Sequence, residues 1–267
     1  MLGLKITVVL LVGVGLFYLL HRKYDRPWKK PVKPFPKKWR VILKKEVSFY
    51  NDLAKERKQL FEYKLKEFII NCQITGIETV VTETDKVLVG ASAVIPIFAF
   101  PEWKYKNLKE VLIYPDNFNL DFETKGKGRN RRILGMVGTG YMNDKMILSK
   151  TALHKGFKNE TDKKNTAIHE FVHLIDKMDG EVDGIPRVLM EKQYVIPWID
   201  MIEQKLEEMA KKKSDINPYA KTGREEFFAV LSEYFFERPR LLKKKHPQLY
   251  KMLEEIFDQD LVNLPGK

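Results

Sequence analysis

Cysteine is almost missing from these 267 residues: Cys72 is the only one. No disulfide can form within the chain, which suits a reducing compartment, and a metal site built on two or more cysteines of one chain is excluded. Cys72 itself, in "FIINCQI", reads as a small core residue. Histidine is scarce too, with five in all. Internal repeats are absent, and the only biased tract is a lysine- and proline-rich stretch near the N-terminus. That stretch in turn lacks acids: residues 21–45 hold eleven Lys or Arg against Asp25 alone, so +10 of the formal net charge of +12 sits there. The rest of the chain is close to neutral, which argues against a basic nucleic-acid module and for no nucleic-acid partner.

The chain opens "MLGLKITVVLLVGVGLFYLLHRKYDRPWKK". Residues 6–20 are almost wholly apolar, and Lys5 lies near an end, where it can snorkel. From Leu2 to Leu20 the run is just long enough to span a bilayer. A secretory signal carries its positive charge before the apolar run and a small-residue cleavage site after it. Here most of the charge follows, and Tyr18-Leu19-Leu20-His21 is a poor cleavage site. Residues 1–20 therefore read as a single-pass transmembrane anchor, with a cleaved signal or an interfacial helix as the alternatives, and the positive-inside rule places residues 21–267 in the cytoplasm, at the inner membrane. Pro27, Pro31, Pro34 and Pro36 among the lysines of residues 21–45 suggest an extended, semi-rigid stalk whose charge can lie against anionic headgroups. Trp28 and Trp39 read either as interface anchors or as the start of the folded domain at residues 46–267.

Within that domain, apolar periodicity predicts a helix over 46–71. "GIETVVTETDKVLVGASAVIPIFAF" predicts a short strand or turn and then a buried helix. "KEVLIYPDNF" predicts a strand over 109–118, stopped by Pro115. Residues 138–157 suggest a hairpin around "MILS". Helices are expected over 165–178, closed by Asp179-Gly180, over 188–212, and in two closing segments, 224–237 and 240–257, with a loop at 214–223. The fold class is α+β: a mainly helical domain with a small antiparallel sheet.

The segment "NTAIHEFVHLIDKMDG", residues 165–180, carries the chemistry. Ala167, Ile168, Phe171, Val172, Leu174, Ile175 and Met178 leave little room for a wet face, yet His169, Glu170, His173 and Asp176 interrupt it. His169, His173 and Asp176 stand at i, i+4 and i+7 and share one stripe of the helix. Buried charges are costly unless they are paired or bind a metal. His169-Glu170-Phe171-Val172-His173 is the H-E-x-x-H pattern, in which two imidazoles one turn apart bind zinc and the Glu acts as general base. Asp176 is placed to accept a hydrogen bond from a ligand histidine. A catalytic zinc needs a third protein ligand. Glu225, Glu226 and Glu233 on "REEFFAVLSEYFF", His154 and Asp183 are all candidates, and composition does not choose among them.

"HEFVHLIDKMDGEVDGIP" followed by "INPYAKTGREEFFAVLSEYFFERP", with "EVLIYPDNF" and "MILS", resembles the MtfA family (Mlc titration factor A) from about residue 46 to 260. These are bacterial zinc-dependent peptidases of the gluzincin type, with a zincin-like domain. The resemblance implies one Zn2+ per chain held by His169, His173 and Glu226, with Glu170 as the base that deprotonates a zinc-activated water. It implies that Tyr219, in "NPYA", stands near the metal and hydrogen-bonds the oxyanion. Glu225 and Glu233 are left to surface or supporting roles, and His154 and His246 to the surface. Peptide or protein substrates follow, with the strand at 146–150 expected to pair with substrate backbone. The family is also linked to a transcriptional repressor of the Mlc type, so a membrane-tethered regulatory module that binds such a repressor is the alternative reading. The family pattern leads us to expect Trp after "ILS", where this chain has Lys150.

Overall fold

The computed structural model describes residues 27–117, 133–138 and 142–265. The expected transmembrane segment lies outside them; among the described residues no helix is long and apolar enough to cross a membrane.

Helix α1 (Lys37–Glu46) begins at Pro36, the last of the stalk prolines. Residues 37–45, expected to extend the stalk, are therefore helical. The cause is spacing: Trp39, Leu43 and Val47 recur every four residues and all three are buried. The Trp39 indole donates to Glu83 Oε2 at 2.6 Å, and Arg40 makes a two-pronged pair with Glu62. The stretch 46–71 is not one helix. A short turn of helix, α2 (Ser48–Asn51), precedes α3 (Lys55–Asn71), whose Phe61, Leu65 and Phe68 enter the core.

Strand β1 (Gln73–Gly76) leads into α4 (Glu83–Val94). A reciprocal capping box starts α4: Thr82 Oγ1 accepts from Asp85 N, and Asp85 accepts from Thr82 N. The helix is apolar all round and buried, and it lies so close to α3 that a Cβ at Gly90 would come 3.0 Å from Leu65 Cγ. The chain returns through β2 (Glu110–Tyr114), β3 (Gly135–Val137) and β4 (Lys145–Ser149).

The sheet order is β1-β2-β4-β3. β1–β2 and β2–β4 are parallel, and only β3–β4 is antiparallel. The sheet is thus mixed, not antiparallel as expected. A helix between β1 and β2 carries the chain back to the starting end, so the second strand runs alongside the first. β4 lies between β2 and β3 and is mostly buried, so it is not an edge strand. The hairpin is β3–β4. Residues 150–157 do not form a return arm. Ser149 Oγ accepts from Ala152 N at 3.2 Å and starts α5 (Lys150–Lys158) directly.

The motif helix α6 (Thr166–Asp176) is followed by a turn of 3-10 helix and Gly180 at φ 105°, a backbone that favours glycine. Then come α7 (Lys192–Lys211), α8 (Arg224–Glu237), α9 (Pro239–Lys245) and α10 (Pro247–Phe257). α6 packs against α8, β3 and α4. Phe171 meets Phe68 and Tyr105 edge-on, and Phe228 stacks on Phe257. Residues Pro31–Lys267 make one compact unit. Each fully buried Val, Leu, Ile or Phe side chain of α6 contributes about 1.5–3 kcal/mol relative to exposure.

Candidate metal centre

Asn165 starts α6: its Oδ1 accepts from Ile168 N at 3.2 Å. Its own backbone N–H donates to Glu233 Oε2. Glu233 Oε1 stands 2.8 Å from His169 Nδ1. One carboxylate of α8 therefore fixes both the first turn of α6 and the first histidine ring. With the proton of neutral His169 on Nδ1, facing Glu233, the lone pair lies on Nε2.

That Nε2 is 3.1 Å from His173 Nε2 and 3.0 Å from Glu226 Oε2, and His173 Nε2 is 3.5 Å from the same carboxylate oxygen. One donor atom from each of His169, His173 and Glu226 lies within 4.8 Å of the other two. Two imidazole lone pairs and a carboxylate oxygen directed at one point repel unless a proton or a metal cation lies between them. Two nitrogens and one oxygen from one helix turn and a second helix are also the donor set a catalytic zinc takes. The residues present fit a metal.

Electrostatics agree. Burial pushes His169 down, but the hydrogen bonds to Glu226 and Glu233 outweigh it and raise its pKa to about 10. Burial pushes Glu226 up, and the two histidines hold it well below the usual carboxylate range. A proton and a metal ion would thus compete for one cluster.

Glu170 follows His169 on α6 and is buried. Burial raises its pKa against the pull of His169 and His173. Its side chain lies against β3: a Cβ at Gly135 would come 2.6 Å from Glu170 Cγ and 2.7 Å from Oε1. Tyr219 is half exposed on the 3-10 turn Pro218–Lys221 and donates from its hydroxyl to Glu226 Oε1 at 3.2 Å. Burial and the neighbouring Glu226 push its pKa up to about 12, so it stays a donor.

The structure brings together His169, Glu170, His173, Tyr219 and Glu226. The other candidates lie elsewhere. Asp183 pairs with Arg187. His154 is not free on the surface but binds buried Asp85 at 2.6 Å, and Lys150 pairs with the same carboxylate at 2.9 Å. That partner accounts for a lysine at 150. Asp176 does not reach a histidine: its Oδ2 accepts from Gly184 N at 2.8 Å, and burial raises its pKa to about 6. The supporting carboxylate is Glu233. Its signal was present in the sequence, seven residues after Glu226 on the same face of α8. Gly135 had no such signal.

Comparison with known proteins settles the family. The family described as glucose-regulated metallo-peptidase M90 matches residues 21–258. This chain belongs to it. An uncharacterized protein of Synechocystis sp. is 26% identical over 96% of this chain and 97% of its own length. Proteins named Mlc titration factor A are also similar. That of Pectobacterium atrosepticum is 27% identical over 62% of this chain, and that of Escherichia fergusonii 30% over 60%. The matches span 65% and 62% of those two proteins. The M90 peptidase fold of this chain therefore carries a cluster able to hold the metal that a metallopeptidase family implies.

Proposed function

We propose that this M90 member is a zinc-dependent peptidase whose ion is held by His169, His173 and Glu226. The observation that carries the reading is the convergence of those three donors, with buried Glu170 beside them. When bound, the metal supplies a Lewis acid that makes a water acidic and polarises the scissile carbonyl. Glu170 is the general base: its carboxylate takes the water proton and later delivers it to the leaving amine nitrogen. Its raised pKa suits a group that must both accept and return a proton. Tyr219 swings from Glu226 and donates its O–H to the carbonyl oxygen as negative charge builds there. Among the described residues β3 is the outer strand on this side of the sheet, so substrate backbone pairs with β3 instead of β4.

The test is hydrolysis of a peptide library by the full chain beside Glu170→Gln. We expect cleavage that a chelator abolishes and that falls about 10²–10⁴-fold in the variant. Undiminished hydrolysis by Glu170→Gln would remove Glu170 from the mechanism.

The same reading places the enzyme at the cytoplasmic face of the inner membrane, anchored by residues 1–20 and assisted by the basic residues that follow. Support comes from the apolar run and the charge after it. Removing residues 1–30, and not 1–45, should release an active soluble domain, because Trp39 and Leu43 belong to the core. A truncated protein that still sediments with membranes would contradict the anchor.

A second reading rests on the name of the relatives, Mlc titration factor A. In it the chain binds a transcriptional repressor, and peptidase activity is secondary. Co-sedimentation with an Mlc-type repressor that survives Glu170→Gln would support it.

A further inference from the structure

Away from the metal centre, the C-terminal end of α7, the loop after it, the end of α9 and His246 line an open cavity of about 670 Å³. A second cavity, of about 220 Å³, adjoins it and shares Lys205, Glu208, Lys245 and His246. The lining is cationic. Lys205, Lys211, Lys212, Lys213 and Lys245 face only two carboxylates, Glu208 and Asp215.

Those carboxylates are already occupied. Asp215 accepts from Tyr234 Oη at 2.6 Å and His246 Nε2 at 2.9 Å, and pairs with Lys163 and Lys245, each at 3.4 Å. Glu208 takes Lys205 at 2.7 Å. Lys211 reaches Glu207, outside the cavity lining, at 3.6 Å. Lys212 and Lys213 form no ion pair among the described residues, Lys212 acting on Glu208 only through its charge, and both are exposed. The start of α10 adds to the same field. His246 gives it no side-chain cap, Pro247 has no N–H, and Gln248 and Leu249 line the adjoining cavity. First-turn amides have no acceptor within their own helix and favour anions.

We infer that this cavity binds a phosphorylated small molecule, with Lys212 and Lys213 as its principal cationic contacts and the start of α10 as a further donor. Exposed ammonium groups outside any close ion pair, gathered in a concavity, suit a ligand whose charge is concentrated on tetrahedral oxygens. The volume lies in the usual range for small-molecule sites, so the phosphate belongs to a larger ester and not to a free ion. A flat anionic membrane needs no concavity and is the poorer match. The site is joined to the metal helix: Asp215 holds Lys163, two residues before the Asn165 cap, and Lys163 has a backbone φ of 61°. None of these residues takes part in the proposed hydrolysis.

The experiment is calorimetric titration of the full chain, purified in mild detergent, with glycerol 3-phosphate, and with glycerol as the uncharged control. We expect saturable binding of the phosphate only, weakened by added salt and about tenfold or more by K212E/K213E. K212Q/K213Q should weaken it less. Both positions are exposed, so unchanged metal content and melting temperature will show that the variants fold. No saturable binding by the wild type, equal binding of glycerol, or unaltered affinity in K212E/K213E would each overturn the assignment.

Discussion

At the scale of single residues, the proposed site separates candidate ligands from their supports. Glu226→Ala removes a donor atom outright, whereas Glu233→Ala removes the partner of His169 Nδ1 and of Asn165 N. Glu233→Ala should weaken metal binding by about 10–100-fold, and Glu226→Ala by clearly more. Competition against a chromogenic chelator measures both, and equal losses would undo the division of roles. Tyr219→Phe should leave metal affinity unchanged and lower kcat by about 10²–10³-fold. Much of this was legible. The i, i+4 histidines and the Glu between them follow from one short string, because a helix places such residues by local geometry alone. Glu226 needed the family resemblance, since several acids of α8 fit equally well. Glu233 and Asp176 show the limit: both lie one or more turns from a candidate ligand along a helix, and only the packing of α8 on α6 decides which carboxylate reaches the ring.

At the scale of elements, the sequence told most about long periodic helices and least about the sheet. α4, α6, α7 and α8 lie close to their expected bounds. The strand at 110–114 was visible as a β-branched run, but strand order and direction were not, because pairing joins segments far apart in the chain. In the proposed reading the strand–substrate contact therefore falls on β3 and not on β4. β3 carries a specific test. Gly135 leaves Glu170 its space, and a methyl group there would lie within contact distance of Glu170 Cγ, Cδ and Oε1. Gly135→Ala should lower kcat while metal content stays at the wild-type level. Full activity would mean that β3 yields and that Glu170 is not confined by it. α1 is the second correction. Its lysines and neighbouring prolines resemble a stalk, but Trp39 and Leu43 are buried. Leu43→Ala should cost about 2–5 kcal/mol in urea unfolding.

At the scale of the whole molecule, ion pairs fasten segments that are distant in sequence. Asp85 holds Lys150 and His154 to the start of α4, and Asp215 ties Lys163, Tyr234 and His246 together. Burial pushes both carboxyls up, yet these partners hold them below their ordinary value of 3.8. A carboxyl depressed in the folded state contributes stability that is present above its unfolded pKa and lost as pH falls through the folded one. Stability should therefore hold above pH 4 and decline progressively below 3.8. Asp215→Asn should flatten that decline, as followed by thermal melts across pH. A slope unchanged by the substitution would mean that Asp215 is not one of the groups responsible. The central claim, that His169, His173 and Glu226 form a zinc site, is tested most directly by metal content. Mass spectrometry of the full chain should find one zinc per chain in the wild type and in Glu170→Gln, and little or none in His169→Ala and Glu226→Ala. Folded wild-type protein that takes up no zinc, or variants that keep it, would contradict the claim.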